Sequence, residues 1–181
     1  EGLPLGILLA ASWLEMLSPA EIAEEMARSL DFLETQMSDI PERQRSIRAV
    51  FDTSWQLLTD RERGMLPMLS VFRSGFAREA AEFVAAASLR DLLGLVNKSW
   101  LQVSDELRVT SDEFQTSHSS LVTRHSSLSA GRFQLHELLR QYAEEKLREW
   151  PELESRARDR ASRYYARFLE SQLRRMRGRE V

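Results

Sequence analysis

The chain has 181 residues, 43% hydrophobic and 29% charged, with a net charge of −3 and no cysteine. That balance suits a soluble globular protein with one or two small cores. The missing thiols exclude disulfide stapling, thiolate catalysis and Cys-based zinc sites, and they fit a cytoplasmic setting. The longest apolar run, Pro4 to Leu14, is broken by Gly6 and Ser12 and is too short to span a bilayer.

Pro4 to Met16 is apolar with helical spacing and few β-branched residues, which predicts a buried helix. Ser18-Pro19-Ala20-Glu21 reads as a capping box, with proline at the first helical position, and the helix it opens should run to about Leu30. Asp31 to Met37 adds a short turn, and Ser38 to Pro41 reads as a linker. Arg43 to Leu58 is a third predicted helix, with Ile47, Val50, Phe51, Trp55 and Leu58 on one face. Thr59-Asp60-Arg61-Glu62 is a second capping box, for a helix to about Ser70. Gly75 breaks the chain, and Arg78 to Ala86 and Leu89 to Asn97 follow as two more helices.

Trp100 to Val103 has strand character, and Arg132 to Leu135 is its expected antiparallel partner. Helices, then a β-hairpin, then a helix make a winged-helix plan. Between the strands lies a polar, Ser-rich insertion, Ser104 to Gly131, with a direct repeat: Thr116 to Val122, then Thr123 to Ser129. His118 and His125 recur in that repeat. Two histidines without nearby carboxylates or thiolates make a poor metal site, and a low-complexity loop with little to bury explains the segment more simply. From Pro151 to about Arg177 a long helix is predicted, with Leu153, Ala157, Ala161, Tyr164, Tyr165, Phe168, Leu169 and Met176 as its apolar stripe. Between Pro151 and Val181 nine Arg face five Asp or Glu, a balance of +4, which leaves −7 for the first 150 residues. A basic tail can touch nucleic acid, but helix-surface charge is the commoner meaning. Trp55, Trp100, Tyr142, Phe72 and Phe76 fall at core-compatible spacing and are read as packing residues.

Two motifs carry chemistry. Gly2-Leu3-Pro4-Leu5 puts a rigid proline before a helix, a flat apolar surface suited to a nucleobase, with Gly2 allowing close backbone approach. Leu135-His136-Glu137 sits where a strand passes into a helix. An imidazole N–H there can donate to a phosphate oxygen, and a helix N-terminus favours an anion. The plain structural meanings are a helix-start proline and a capping or packing histidine.

In this order, about 130 residues apart, the two motifs resemble the second half of the nucleotide-binding module of STAND-class regulatory NTPases. This is the NB-ARC-like family that includes AfsR-type bacterial regulators. The first motif matches that family's GLPL fully. Leu135-His136-Glu137 matches its MHD motif with two conservative departures, and Glu137 in place of Asp puts the role of that Asp in doubt here. The resemblance implies a mainly α fold: a helical-bundle segment over residues 1–40, a winged-helix domain over 41–149 with residues 104–131 as a wing insertion, and, over 150–181, the helix that begins an α-solenoid. It implies that Leu3 and Pro4 pack on adenine and that His136 reaches the β-phosphate of ADP.

No G-x-x-x-x-G-K-[S/T] loop and no Asp cluster for Mg²⁺ occur in the chain. It is therefore expected to hydrolyse nothing alone and to continue a protein whose P-loop domain lies upstream. The expected partners are that domain, with ADP or ATP bound to it, a downstream helical-repeat sensor domain, and further copies of the protein on activation. No membrane contact is expected. The second reading is a DNA-binding winged helix. Its recognition helix, taken as Ser74 to Ala87, sets Arg78 against Glu79 and Glu82, a face poorly suited to a polyanion. A stand-alone enzyme finds no acid–base or nucleophile constellation.

Overall fold

The computed structural model describes residues 3–34, 46–104 and 132–177. It is mainly helical, with eight α-helices and one two-stranded antiparallel sheet among those residues. Its contacts divide the chain into two compact units, Glu1–Arg63 and Gly64–Val181.

In the first unit, α1 (Pro4–Ala11) is followed by turns to Leu17, and α2 (Pro19–Arg28) opens on the predicted capping box. The Ser18 hydroxyl accepts from the Glu21 amide, and the Glu21 carboxylate accepts from the Ser18 amide at 2.9 Å. That closure draws the Glu21 carboxyl below its usual range, the backbone bond contributing most. A 3₁₀ turn, Leu30–Phe32, and α3 (Ile47–Gln56) complete the unit's core, where Leu9, Ile22, Leu30, Leu33, Ile47 and Phe51 are buried. Trp13 stacks on Phe32 with ring centroids 4.9 Å apart. The expected buried helix Pro4 to Met16 is corrected in two ways. It stops at Ala11, and Ile7, Leu8, Leu14 and Met16 are exposed. Apolar residues all round a helix exceed what a unit this small can cover, so only Gly6 and Leu9 are buried on α1.

The second predicted capping box also forms. Thr59 and Glu62 exchange backbone and side-chain bonds of 2.7–3.3 Å at the head of α4 (Asp60–Leu69). In the second unit the chain then runs extended through Phe76 into α5 (Arg78–Ala85) and α6 (Leu89–Asn97), the latter opened by a Ser88–Asp91 capping box. The hairpin follows as β1 (Gln102–Ser104) and β2 (Arg132–Gln134), in the register Gln102↔Gln134, Val103↔Phe133 and Ser104↔Arg132. Trp100 and Leu101 are a buried lead-in rather than strand. Phe76 adds a third antiparallel partner on the other side of Phe133, which the sequence pattern did not suggest. The order of helices, short extended segment, helices, hairpin and helix is that of a winged helix. The insertion, with His118 and His125, lies outside the described residues.

After β2 come α7 (Glu137–Arg148) and α8 (Pro151–Arg177). The start of α8 packs on α7, and its middle lies along α5. Arg160 donates to the Val84 carbonyl at 3.2 Å, Tyr164 meets Phe83 at 5.9 Å, and Arg167 lies over the Phe83 ring. On α5, Ala80, Ala81, Val84 and Ala85 are buried. Tyr142, Trp100, Phe72 and Phe76 are buried as expected, and Trp55 is half-buried. The predicted stripe of α8 divides: Ala157 is fully buried, whereas Tyr165, Phe168, Leu169 and Met176 are exposed.

α5 ends on Ala86, which holds the left-handed conformation at φ 53° that helix ends reserve mostly for glycine. A Cβ there costs about 1–2 kcal/mol, part of which glycine returns as unfolded-chain entropy. Ala86→Gly should therefore stabilise the chain by about 0.5–1 kcal/mol, read as a raised midpoint in urea unfolding. A lowered midpoint would contradict the account of this helix end.

Candidate functional site

The first motif forms a helix corner. Leu3 is the N-cap of α1, extended at φ −75° and ψ 121°, and its carbonyl accepts from the Ile7 amide at 3.0 Å. Pro4 takes the first helical position, where its missing N–H costs nothing. Its ring is exposed, while Leu3 and Leu5 are half-buried. The proline is thus a rigid apolar surface held outward by a helix start. Gly2 lies outside the described residues.

The second motif is built from β2. Phe133 is buried on the hairpin, Leu135 is buried after it, and His136 becomes the N-cap of α7 at φ −60° and ψ 142°. The His136 Nδ1 accepts from the Leu138 amide at 3.3 Å, an unusual cap in which imidazole does the work of a serine oxygen. The bond has a chemical consequence. A nitrogen that accepts carries no proton, so in the neutral ring the proton sits on Nε2. The N–H of the neutral ring is therefore Nε2–H, and the ring stands at the positive end of α7.

Arginine 140, which motif reasoning did not single out, organises the turn behind His136. Its amide donates to the His136 carbonyl at 2.9 Å. Its guanidinium grips both oxygens of Glu137, Nε to Oε2 at 2.9 Å and Nη2 to Oε1 at 2.7 Å, and reaches Glu144 at 3.0 Å. The side chain is 11% exposed, and Nη1 also approaches the Ser70 carbonyl, at 3.5 Å, just past α4. Glu144 is shared further with Arg148 and with Arg158 of α8. The Arg140 bond is the main reason that the Glu137 carboxyl lies below its usual range, with Arg73 adding to it. Burial pushes the Glu144 carboxyl up, but the Arg140 bond and the charges of Arg148, Arg140 and Arg158 outweigh it, and the net direction is down. The i,i+3 and i,i+4 spacing of Glu137, Arg140 and Glu144 was the readable signal.

Leu3 and Pro4 belong to the first unit and His136 to the second. An open groove of about 730 Å³ at the α7–α8 turn is lined by Glu149, Trp150, Pro151, Glu152, Leu153 and Arg156, and so by neither motif. Among the described residues no cluster of His, Asp or Glu is arranged to hold a metal ion, and no helix is long and apolar enough to cross a membrane.

The surface relevant to nucleic acid differs from the expected one. Ser74 to Ala87 is not an outward recognition helix, because α8 covers α5. The helix that leads into the hairpin is α6. It exposes Arg90 and Asn97, with Lys98 just beyond, while Leu89, Leu93 and Val96 are half-exposed and Asp91 closes the cap. Much of the basic C-terminal charge is engaged. Arg158 pairs with Glu154 and Glu144, Arg163 with Asp159, and Arg160 and Arg167 turn onto α5.

Three curated proteins resemble the chain, one from Mycobacterium bovis and two from strains of Mycobacterium tuberculosis. Each is 32% identical over 160 residues and is provisionally named an HTH-type transcriptional regulator. The match covers 88% of this chain but 17% of each relative, so the chain spans about a sixth of their length. No family model matches the chain. No solved structure matches it.

The Arg140 cluster sets an acid limit. Glu137 and Glu144 both titrate below the ordinary carboxylate range when folded. Their stabilisation is therefore complete above the unfolded value and is lost as pH falls through the folded ones. Thermal midpoints should hold level from neutral pH to about pH 5 and drop below about 4.5. Glu144→Gln should cost about 1 kcal/mol at neutral pH, since the pairs are partly screened, and should flatten the acid drop. An undiminished drop in that variant would remove Glu144 from the account.

Proposed function

We propose that this chain is an internal regulatory segment of a transcription regulator, and that it forms the closing half of a nucleotide-dependent switch of the STAND class. The names of the three mycobacterial relatives support the first part. One observation above the others supports the second. His136 caps a helix at the end of β2, with Nδ1 accepting in the cap, so that in the neutral ring the N–H is on Nε2. That is a fixed hydrogen-bond donor beside a positive helix end, which suits a phosphate oxygen.

In this reading ADP or ATP, held by an upstream P-loop domain of the same protein, supplies the charge that separates the two states. Leu3 and Pro4 wall the base. His136 donates to the β-phosphate in the closed, ADP-bound form. Giving up that bond releases the winged-helix unit and permits homo-oligomerisation, with a downstream helical-repeat domain as the sensor. A switch requires contacts that differ between its states, and the His136 bond is such a contact. Hydrolysis itself is assigned to the upstream domain, not to residues of this chain.

The second reading is direct DNA binding through α6. It is favoured by the HTH-type names and by the place of α6 before the hairpin. It ranks second because the outward face of α6 mixes Arg90 and Asn97 with half-exposed Leu89, Leu93 and Val96, and phosphate contact needs more cationic surface.

In the full-length protein, His136→Ala should lose one charge-assisted bond, about 1.5–3 kcal/mol, and release ADP about ten- to hundredfold faster. ATP binding should change less, and the oligomer should become more populated. Pro4→Ala should weaken both nucleotides alike. Stopped-flow release of a fluorescent ADP measures this, and an unchanged rate in His136→Ala would sink the phosphate reading. For the second reading, mobility shifts at physiological salt should show no site-specific complex with duplex DNA. A specific complex lost on Arg90→Ala would put the DNA reading first.

A further inference from the structure

We propose that Arg140 is a positioning residue for His136, acting through Glu137 and the first turn of α7. The proposal rests on the reading of His136 as the phosphate donor, and it names how that donor is aimed. Four contacts carry it. The Arg140 amide closes the turn on the His136 carbonyl at 2.9 Å. The guanidinium holds both oxygens of Glu137, the residue next to His136, at 2.7 and 2.9 Å. Glu144 takes another of its N–H groups at 3.0 Å from the following turn. The Ser70 carbonyl lies 3.5 Å away on a different part of the fold. A planar guanidinium with fixed forks transmits orientation, whereas an ammonium supplies only charge. The turn that carries the Leu138 amide is therefore clamped, and the Leu138 amide is what holds Nδ1 as an acceptor. Without the clamp the cap bond loosens, the proton is no longer confined to Nε2, and the donor points less consistently at its target. Arg158 of α8 shares Glu144 at 3.4 Å, so displacement of α8 reaches the same clamp.

The test reads His136 directly. The chain has three histidines, so the imidazole ¹⁵N signals of His136 are assigned by their loss in H136Q. Two variants are compared with the parent at a pH where the ring is neutral. Glu137→Gln changes a side chain that is 56% exposed and keeps its shape. Arg140→Lys keeps the charge and loses the fork. Both should retain helical content by circular dichroism, and both should raise the Nδ1–H tautomer about threefold or more. Folded variants with an unchanged tautomer would overturn the proposal. If Arg140→Lys does not fold, Glu137→Gln decides alone. In the full-length protein the same variants should speed ADP release severalfold. A shifted tautomer with unchanged ADP release in these variants and in His136→Ala would leave the positioning intact and remove the phosphate reading instead. Faster release in His136→Ala, with no change in Glu137→Gln or Arg140→Lys, would overturn the positioning role.

Discussion

The second unit depends on how β2 is held. Phe133 is fully buried and exchanges both main-chain bonds with Phe76, at 2.7 and 2.8 Å, while its other neighbour is Val103. A two-stranded ribbon is marginal in water, and a third partner with a covered face changes that. The third partner can approach because of Gly75. A Cβ built there would stand 3.2 Å from the Phe133 carbonyl, so any other residue would press on the strand that delivers His136. Phe76 stacks on Phe72 at 4.7 Å and lies 6.2 Å from the Phe133 ring, which ties the strand to the residues after α4. Three residues after Phe133, at His136, the main chain is still extended, and at Glu137 it becomes helix. The histidine sits at that change because the strand ends there.

Local chemistry explains what was legible in the sequence. The capping boxes at Ser18 and Thr59 were readable because both partners lie within four residues, so the signal needs no tertiary context. The helix starts at Pro4 and Pro151 followed from the same kind of punctuation. The hairpin was legible because its strands carry β-branched or aromatic residues, although its bounds shifted by a residue or two. Phe76 was not legible as a strand partner. A single bridging residue has no period, and its pairing is decided by Gly75 and by a strand far away in sequence. The outward identity of α5 was misread for a related reason. Its Arg78, Glu79 and Glu82 suggest a solvated face, but Phe83 and the Val84 carbonyl meet Tyr164, Arg167 and Arg160 of α8. Coverage of a helix face depends on the partner that reaches it, and that partner is about 80 residues away.

Of the candidate site, the motif residues were legible and their support was not. Pro4 and His136 stand out as residue types placed at helix starts. Arg140 reads as an ordinary helix-surface arginine at i,i+3 to Glu137 and i,i+4 to Glu144, an arrangement usually worth a few tenths of a kcal/mol. Only burial turns it into an anchor. At 11% exposure its guanidinium must be satisfied, and Glu137, Glu144 and Ser70 do so together. Glu137, which stands where the resembled motif has Asp, has a physical role here. The longer carboxylate, one residue past the cap, accepts both arms of the fork from Arg140.

The distribution of charge bears on which surface does the work. The last 31 residues hold a balance of +4, which from composition alone invites a nucleic-acid partner. In the fold, Arg158 and Arg163 meet carboxylates, Arg160 meets a carbonyl, and Arg167 lies on an aromatic face. These four of the nine arginines are engaged by neighbouring groups, and a polyanion must find several cations pointing outward together. Meanwhile the anion-favouring feature at the other end of the unit, the head of α7, combines a helix dipole, an imidazole donor and a buried arginine behind it. Those features suit a small anion, the role proposed for them above. The relatives' names concern proteins about six times the length of the matched segment, so the names alone do not assign DNA contact to this segment. On the reading proposed above, this part carries regulation rather than base recognition.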